Sequence, residues 1–276
     1  MAKRLSQEIE QKIIDMYVAG NNSKTISAEM NIAKSTVTRV LNRNGVEQRT
    51  FAEQTRKYFF NESFFNVIDT EEKAYWLGFI YADGSVSPEK GSFRLSISAN
   101  DIEHLKVFKE DIQSDYEIPV YGNYGYDSSS MMCKIDLHSK RLLNDLADKG
   151  IVKNKTFLIE FPTIPDYLVH HFIRGYFDGD GSVSFYKVKE RPTPKAEVTI
   201  TGTEEFLNSL KEILVGAGLN PNIKLAQRHK NRDNNVRTLK YCGRQNALKF
   251  YNFIYQDATR FLCRKRDKFI VIDNAL

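Results

Sequence analysis

Two stretches of the chain share one pattern: AYWLGFIYADGSVS at residues 74–87 and FIRGYFDGDGSVS at residues 172–184. In each, an apolar run of helical length ends in Asp-Gly-Ser-Val-Ser. Small residues recur one helical turn apart in both copies, which places them on one face of each helix. They are Gly78, Ala82, Gly175 and Gly179. Because Gly inside a helix costs about 0.5–1 kcal/mol relative to Ala, the pattern predicts that two helix backbones touch along these faces.

An aspartate lies in the last turn of each predicted helix, at Asp83 and Asp180. We expect the next residues, Gly84 and Gly181, to adopt the left-handed conformation that often follows a helix end. A carboxylate near the negative pole of a helix is unfavourable by about 0.3–1 kcal/mol. Two such helices side by side would bring two carboxylates and two negative helix ends together. A bound divalent cation would stabilise that arrangement, so the pattern predicts a metal site.

The segments WLGFIYADG (residues 76–84) and IRGYFDGDG (residues 173–181) resemble the two motifs of a single-chain LAGLIDADG homing endonuclease. The copies differ at the sixth motif position, which is Tyr81 in the first and Asp178 in the second. The resemblance covers about residues 58–276. It implies an α+β fold, the pseudo-twofold duplicated LAGLIDADG (αββαββα)x2 saddle.

The resemblance also implies an activity, the hydrolysis of phosphodiester bonds in double-stranded DNA at a long, nearly asymmetric target site. Cleavage would occur across the minor groove and leave short 3′ overhangs. The acidic catalytic position of the family falls on Asp83 and Asp180. We expect these carboxylates to hold Mg²⁺ (or Mn²⁺) together with the carbonyl groups of Ala82 and Gly179, because Mg²⁺ prefers oxygen ligands and takes only one or two carboxylates.

A basic residue on a strand of each half lies close to the scissile phosphates in this family. Aligning CKIDLHSKRLL with LKYCGRQNALK, the corresponding segments of the two halves, puts Lys134 opposite Lys240. We therefore assign the catalytic lysine role to this pair. A lysine near the phosphate would stabilise the negative charge that develops in the transition state.

Residues 6–46 are predicted to form three short helices, of which the third, Lys34–Arg43, buries Val37, Val40 and Leu41. The pattern resembles a helix-turn-helix of resolvases and transcription regulators. Its recognition helix would present polar and basic side chains to DNA. They are Lys34, Ser35, Thr36, Thr38, Arg39 and Arg43. The alternative is a trihelical bundle that merely has a cationic face.

Strands with alternating apolar and polar residues follow each motif, at residues 93–98 and 197–201, and lead into amphipathic helices. Their polar faces suit contacts to DNA in a major groove. The residues on these faces are Arg94, Ser96, Ser98, Thr199 and Thr201. A predicted hairpin around residues 233–235 adds Arg228, Lys230, Arg232 and Arg237.

The predicted organisation is a small all-α helix-turn-helix domain at 1–46, a linker at 47–57, and LAGLIDADG halves at 58–160 and 161–276. Since both halves are present in one chain, we expect a monomer. Three cysteines without a CxxC pair argue against a disulfide framework or a zinc site. No apolar run is long enough to span a membrane and no signal peptide is evident, which favours the cytoplasm or an organellar matrix.

Charge is unevenly distributed along the 276 residues, although the net charge is only +5. Residues 1–50 carry eight Lys and Arg against five Asp and Glu, and residues 222–276 carry thirteen against four. The middle, which contains the candidate aspartates, is therefore acidic. Basic ends around an acidic centre are typical of a protein that grips a polyanion around a metal site.

Other functions remain open or are excluded by particular residues. An EF-hand loop starting at Asp178 fails because it would need Gly where Val183 stands and Glu where Lys189 stands. A DNA-binding regulator derived from the same fold is an alternative, although such proteins have lost the motif acids. A maturase that acts on intron RNA is a second alternative, which no residue pattern excludes.

We predict that residues 1–46 add affinity for DNA and no chemistry, because they carry a recognition-helix pattern and no paired carboxylates. A chain that starts near Glu53 should still cleave DNA. It should bind more weakly and with a shallower dependence on salt, since fewer phosphates are neutralised. Titrations of a duplex at several salt concentrations measure both quantities, and an unchanged affinity and salt slope would show that the segment does not touch DNA.

Overall fold

A computed structural model describes residues 5–19, 21–48, 58–122, 131–187, 194–227 and 235–274. The chain divides into two compact units, Met1–Tyr58 and Phe59–Leu276. No helix in the described residues is long and apolar enough to cross a membrane.

The first unit consists of three helices: α1 (Gln7–Val18), α2 (Ser23–Glu29) and α3 (Lys34–Arg43). They enclose a small core that is almost fully buried. Its members are Ile13, Tyr17, Ile26, Val37, Val40 and Leu41. The turn between α2 and α3 contains Asn31 at a φ of 51°, a conformation that Asn tolerates better than most residues.

The second unit contains two copies of the same element order. In the first copy, α4 (Glu71–Asp83) runs directly into β1 (Gly84–Ser87), and the elements that follow are β2 (Ser92–Ser98), α5 (Ile102–Asp111), β3 (Val120–Gly122), β4 (Met131–His138) and α6 (Lys140–Asp148). In the second copy the elements are α7 (Val169–Asp180), β5 (Gly181–Tyr186), β6 (Lys195–Thr203), α8 (Glu204–Gly216), β7 (Ala226–Gln227), β8 (Val236–Cys242) and α9 (Arg244–Ile254). A last helix, α10 (Cys263–Asn274), follows the second copy.

Each copy forms one antiparallel four-stranded sheet, with strand orders β1-β2-β4-β3 and β5-β6-β8-β7. The strands alternate as their sequences predict: Leu95 and Ile97 of β2 are buried, and so are Val198 and Ile200 of β6. The helices cover the apolar faces, where for example Phe108 of α5 is fully buried. The opposite face of each sheet is polar and open. The fold is therefore the duplicated α+β architecture that the sequence predicts.

Helices α4 and α7 pack against each other so closely that there is no room for a side chain at the contact. A Cβ atom built on Gly78 would lie 2.0 Å from the carbonyl oxygen of Phe172. One built on Gly175 would lie 1.9 Å from the carbonyl oxygen of Tyr75. One built on Gly179 would lie 2.2 Å from the Cβ of Ala82. The four small residues of the two motifs therefore bring the helix backbones into contact, as their spacing predicts.

The expected left-handed conformation at the two helix ends is wrong. Gly84 has φ −73° and ψ 150°, and Gly181 has φ −88° and ψ 162°, so both are extended. Each glycine is already the first residue of a strand. Glycine is needed there because a Cβ would collide with the preceding helix: it would lie 2.6 Å from Ile80 at Gly84 and 2.1 Å from Phe177 at Gly181. Glycine is therefore required at both positions by the close approach of the preceding helix, and a positive φ is not the reason.

The two halves are also joined by a buried ion pair at the N-terminal end of α4. Arg174 of α7 has no exposed surface and donates to Glu71 at 2.6 Å. Its other N–H groups donate to the carbonyl oxygens of Ile254 at 2.6 Å and Arg260 at 2.7 Å. Glu71 also accepts hydrogen bonds from the backbone N–H groups of Thr259 and Arg260. The charges are therefore fully paired, which a buried arginine requires.

We predict that Gly175→Ala destabilises the protein by about 1–3 kcal/mol or more, because the added methyl group meets backbone atoms of α4 that cannot rotate away. Gly216→Ala is the matched control: Gly216 ends α8, and a Cβ there would have no atom within 4 Å. Denaturant unfolding of both variants measures the difference. Equal stability of the two variants would mean that the close contact between α4 and α7 is not required.

Candidate active site

The two motif aspartates occupy the adjacent C-terminal ends of α4 and α7. Asp83 is the last residue of α4, and Asp180 is the last residue of α7. Both are exposed to solvent. The Asp83 carboxylate lies over Gly179 of the other helix, because a Cβ built on Gly179 would be only 3.1 Å from Asp83 Oδ2. The glycine contact thus places a carboxylate of one half directly against the helix end of the other.

Crowding of these groups changes the acidity of Asp83. Neighbouring protein atoms displace water from its carboxylate, and this desolvation, together with the negative charge of Asp180, raises the pKa of Asp83 to about 6. The positive charges of Lys265 and Lys155 oppose this shift. Asp83 remains open to solvent, so the shift reflects crowding by protein and a like charge rather than complete burial. Two carboxylates that repel each other in this way are suited to a shared cation.

Two buried lysines cap the helix ends beneath the aspartates. Lys155 Nζ donates to the carbonyl oxygens of Tyr81 at 2.7 Å and Ala82 at 2.8 Å, at the end of α4. Lys265 Nζ, from α10, donates to three carbonyl oxygens at the end of α7. These are Phe177 at 2.8 Å, Gly179 at 3.0 Å and Gly181 at 2.6 Å. A cation at a helix C-terminus is favourable because it satisfies free carbonyl groups and opposes the helix dipole.

The lysines interact crosswise with the aspartates. Burial lowers the pKa of Lys155, and the charge of Asp180, on the other helix, opposes this shift more strongly than that of Asp83 does. Burial lowers the pKa of Lys265 to about 8, against the charges of Asp178, Asp83 and Asp180. Of the two motif-end aspartates, Asp83 on the other helix has the stronger effect on Lys265. Each lysine therefore caps one helix and faces the carboxylate of the other.

The donor atoms of this site fit a hard divalent cation. Asp83 and Asp180 supply carboxylate oxygens, and the carbonyl groups of Ala82 and Gly179 lie in the same turns. Each carbonyl accepts one hydrogen bond from a lysine, and a carbonyl oxygen has a second lone pair. Within the described residues no group of three or more His, Cys, Asp or Glu could hold a metal ion. Mg²⁺ needs only one or two carboxylates and keeps several waters, so the two aspartates suffice.

Asp178, the other carboxylate of the second motif, lies away from the paired aspartates. It is buried, and Oδ2 accepts hydrogen bonds from Tyr75 Oη and from the backbone N–H of Leu262, both at 2.8 Å. Since Tyr75 donates its hydroxyl proton to Asp178, its oxygen accepts from Nε2 of His104, 2.8 Å away. Burial raises the pKa of Asp178 to about 6 and lowers that of His104 to about 4. This buried chain of hydrogen bonds holds the halves together.

The first half has Tyr81 at the equivalent motif position. Its ring packs on Phe172 of α7, with ring centroids 5.1 Å apart, and its hydroxyl donates to the carbonyl oxygen of Lys149. Tyr81 therefore also points into the core. The sixth motif position is structural in both halves, since the side chains of Asp178 and Tyr81 make their hydrogen bonds to groups other than the motif aspartates.

The strand lysines Lys134 and Lys240 do not occupy equivalent positions. Equivalent positions in the two sheets can be found from the strand pairing. Starting at the first residue after each motif helix, we follow the paired residues across three neighbouring strands, which gives one row of residues in each sheet. They are Gly84–Leu95–Ile135 and Gly181–Ile200–Leu239. The counterpart of Lys134 is therefore Thr238, and that of Lys240 is Asp136. The sequence alignment that equates the two lysines is therefore wrong by two residues. A shift of two residues keeps a side chain on the same face of the sheet, so the alternation of apolar and polar residues does not reveal it.

The side chains of these two lysines pair with acids on the open sheet faces. Lys134 Nζ lies 3.7 Å from Asp136 and above the ring of Tyr121. Lys240 Nζ lies 2.7 Å from Glu197, and its side chain is 48% exposed. The lysines that the structure places at the paired aspartates are Lys155 and Lys265 instead.

The predicted strand residues of the DNA face lie on the open side of the sheets. Arg94 is exposed, and Ser96, Ser98, Thr199 and Thr201 are half-buried. Arg237 is different, because it lies on the same side of β8 as the buried residues Leu239 and Tyr241. Its side chain forms an ion pair with Glu204 of α8 at 2.9 Å. Its inclusion in the open face is wrong, because it points to the helix-covered side. The remaining three predicted residues, Arg228, Lys230 and Arg232, lie outside the described residues.

In the first unit, Lys34, Ser35 and Arg39 of α3 are exposed, while Thr36 and Thr38 are half-buried. Arg43 at the end of α3 forms an ion pair with Glu10 of α1. That pair ties α3 to α1. The other residues leave one exposed polar and basic face, and the role of that face in DNA binding stays a prediction.

Sequence reasoning missed Lys155 and Lys265, although Lys265 carries a readable signal. Phe269 and Ile272 are buried on one face of α10, and Lys265 lies on the same face with only 5% of its surface exposed. A lysine among the apolar positions of an amphipathic helix indicates a specific partner inside the protein. Lys155 begins a 3-10 helix of three residues after α6 (Lys155–Phe157), which is too short to show a periodic pattern.

The family model for LAGLIDADG-like domains matches residues 168–255. The second half therefore carries a LAGLIDADG-like domain. The match includes α7, Asp180 and the strands of the second sheet. No curated protein matches the chain.

Solved structures with a similar arrangement include three DNA complexes of low sequence identity. The LAGLIDADG homing endonuclease I-GzeII in complex with its DNA target is 12% identical, covering 71% of this chain and 87% of that chain, with a TM-score of 0.48. The meganuclease I-SmaMI bound to uncleaveable DNA is 13% identical over 74% and 92%, with a TM-score of 0.48. The meganuclease I-AabMI bound to uncleaved DNA is 14% identical over 72% and 89%, with a TM-score of 0.48.

Proposed function

We propose that this protein is a site-specific endonuclease that hydrolyses phosphodiester bonds of double-stranded DNA, with a divalent metal ion held by Asp83 and Asp180. The observation that carries the proposal is the pairing of two carboxylates at abutting helix ends, each helix end capped by a buried lysine. The lysines offset the negative helix poles, and the two carboxylates are left to hold a divalent cation. A cation held there would balance both the carboxylates and the scissile phosphate, which is the chemistry of phosphodiester hydrolysis.

The metal fits the oxygen donors of the site, and Mg²⁺ or Mn²⁺ suits their hardness. When bound, a divalent ion supplies charge neutralisation on the scissile phosphate and lowers the pKa of a coordinated water. The protein contributes the rest. Asp83 and Asp180 fix the position of the charge, and the immobile glycine contact between α4 and α7 keeps the two carboxylates at a constant separation.

The lysines stabilise negative charge at the same point. The Nζ atoms of Lys155 and Lys265 are held by carbonyl groups, so no reorganisation is needed when charge develops on a phosphate oxygen. Lys265 uses its three N–H donors on Phe177, Gly179 and Gly181 and acts as a fixed positive charge. Lys155 uses two donors within the described residues, which leaves the third for a phosphate oxygen.

The open sheet faces supply the DNA contacts in this proposal. Each face combines cations with hydroxyl groups, which suits contacts both to phosphates and to base edges. Because the two sheets differ in sequence, the target would be long and nearly asymmetric. One chain carries both halves and both aspartates, so the active form would be a monomer. The first unit would add affinity through α3.

The regulator and maturase alternatives share the fold, and two measurements distinguish them from the endonuclease. Binding of a duplex without any cleavage in Mg²⁺ or Mn²⁺ favours the regulator. Preferential binding of structured RNA over duplex DNA favours the maturase. The retention of Asp83 and Asp180 and of their lysine partners supports the endonuclease, since a protein that only binds DNA has no use for an anionic centre facing phosphates.

We predict that Lys155→Met and Lys265→Met each slow DNA cleavage by about 10²–10³-fold, the effect of removing a fixed charge stabiliser from an active site. With the DNA saturated by protein, Lys134→Met and Lys240→Met should cleave within a few-fold of wild type, because they remove charges from the DNA-contacting faces and none from the paired aspartates. Single-turnover cleavage is measured, together with thermal denaturation and duplex binding in Ca²⁺ to separate chemistry from folding. The reverse order of effects would return the catalytic role to the strand lysines.

We predict that Asp83→Asn and Asp180→Asn nearly abolish cleavage while binding stays equal or improves. Asn keeps the shape of the side chain but removes the charge that holds the metal ion and repels phosphates. Asp148→Asn is the matched control, because Asp148 is an exposed aspartate that also ends a helix. Plasmid cleavage with Mg²⁺ and binding with Ca²⁺ test the three variants, and wild-type cutting by either motif variant would remove that aspartate from the mechanism.

A further inference from the structure

One ion pair on the open face of the first sheet has a geometry suited to reading a base. Arg94 of β2 lies opposite Asp136 of β4. Arg94 Nε and Nη2 donate to Asp136 Oδ2 at 3.0 and 2.5 Å. The Arg94 side chain is 51% exposed, while the Asp136 side chain is only 17% exposed. The carboxylate is therefore set into the sheet surface and holds an outward-facing guanidinium from one side.

The free edge of this guanidinium matches one base. A guanidinium has five N–H donors in one plane, of which Asp136 uses two. Among the described residues, Nη1 of Arg94 has no acceptor within hydrogen-bond distance. The edge formed by Nη1 and Nη2 therefore points away from the sheet with two parallel donors. Two parallel donors match O6 and N7 of guanine, the commonest specific contact in the major groove.

Charge decides between a base contact and a phosphate contact for this arginine. A phosphate-binding arginine acts through net positive charge. Arg94 and Asp136 together are neutral, so the net positive charge of this cluster is that of Lys134, whose ammonium group lies 3.7 Å from Asp136. Lys134 therefore supplies the attraction for a phosphate, whereas the Arg94–Asp136 pair adds little to it. The pair therefore suits base readout, in which a fixed orientation matters more than charge.

The second sheet lacks this arrangement at the equivalent positions. By strand register, Thr199 takes the place of Arg94 and Lys240 takes the place of Asp136. Lys240 pairs with Glu197 on the neighbouring strand, at 2.7 Å. An ammonium group is a point charge without the planar fork of arginine. The difference confines the guanine-reading geometry to one half of the protein.

We propose that Arg94 reads a guanine in the major groove of the DNA half-site bound by the first sheet, and that Asp136 is the positioning residue that fixes its orientation. The inference rests on the proposed site-specific binding of double-stranded DNA. It names one base contact and one element of the asymmetry between the half-sites.

The test selects bound duplexes from a random-sequence library in Ca²⁺, followed by binding of the selected duplex and of its single-base variants. Wild type should enrich one G·C pair that Arg94→Lys and Arg94→Gln no longer prefer, with a loss of about tenfold or more in discrimination at that pair alone. Arg94→Lys should keep the wild-type salt dependence. Lys106→Gln is the control, because Lys106 forms an exposed pair with Glu103 on α5, away from the sheet face.

The Asp136→Asn variant tests whether Asp136 orients Arg94 for base recognition or only stabilises the fold. It should weaken discrimination at the same base pair, yet bind random DNA more tightly and with a steeper salt dependence, because one negative charge leaves the face. Unchanged preferences in both Arg94 variants, or a lost preference for a base other than guanine, would overturn the role of Arg94. Full discrimination in Asp136→Asn would overturn the role of Asp136. If wild type enriches no sequence, the proposed site-specific function itself is overturned.

Discussion

The backbone contact between α4 and α7 is the constraint on which the rest of this protein depends. Gly78 and Gly175 let each helix touch the carbonyl groups of the other, and no residue with a side chain fits at either position. That contact brings the two C-terminal helix poles together and places Asp83 over Gly179. Two negative poles and two carboxylates in one place repel each other, so the lysine caps follow as a necessity. The site is thus a consequence of how the halves are joined.

The lysine caps explain why the chain continues past each half-domain. Lys155 lies in the connection between the halves, and Lys265 lies on α10, after the last element of the second copy. Both segments fold back to a motif helix, and each places one ammonium group on the carbonyl groups of that helix. Burying a lysine is unfavourable unless it is paired, and three carbonyl bonds to Lys265 and two to Lys155 supply that pairing. These bonds offset the desolvation of two cations at the place where two carboxylates and two helix poles concentrate negative charge.

Much of the fold could be predicted from the sequence because its signals are periodic. The small residues of the motifs repeat every helical turn, and the strands at residues 92–98 and 195–203 alternate with a period of two. Contacts that join distant segments leave no such signal. Lys155 has no pattern around it, and the register of β4 and β8 depends on hydrogen bonds that an alignment of lysines cannot show. The extended conformation of Gly84 and Gly181 could not be predicted for a different reason. The sequence does not distinguish a glycine that is required because a Cβ would collide with its neighbours from one that is required because φ is positive.

Symmetry is kept at the centre of the protein and lost at its surface. Around the helix pair, each half supplies one aspartate at the end of its motif helix. Each half also supplies one lysine that donates to carbonyl groups at that helix end, with three bonds from Lys265 and two from Lys155. On the open faces, equivalent positions carry opposite charges, with Asp136 in one sheet and Lys240 in the other. The two strands of a DNA duplex have the same phosphodiester chemistry but different base sequences. A paired centre between unlike faces therefore fits the proposed endonuclease, which would treat both strands alike chemically while distinguishing the two halves of a target.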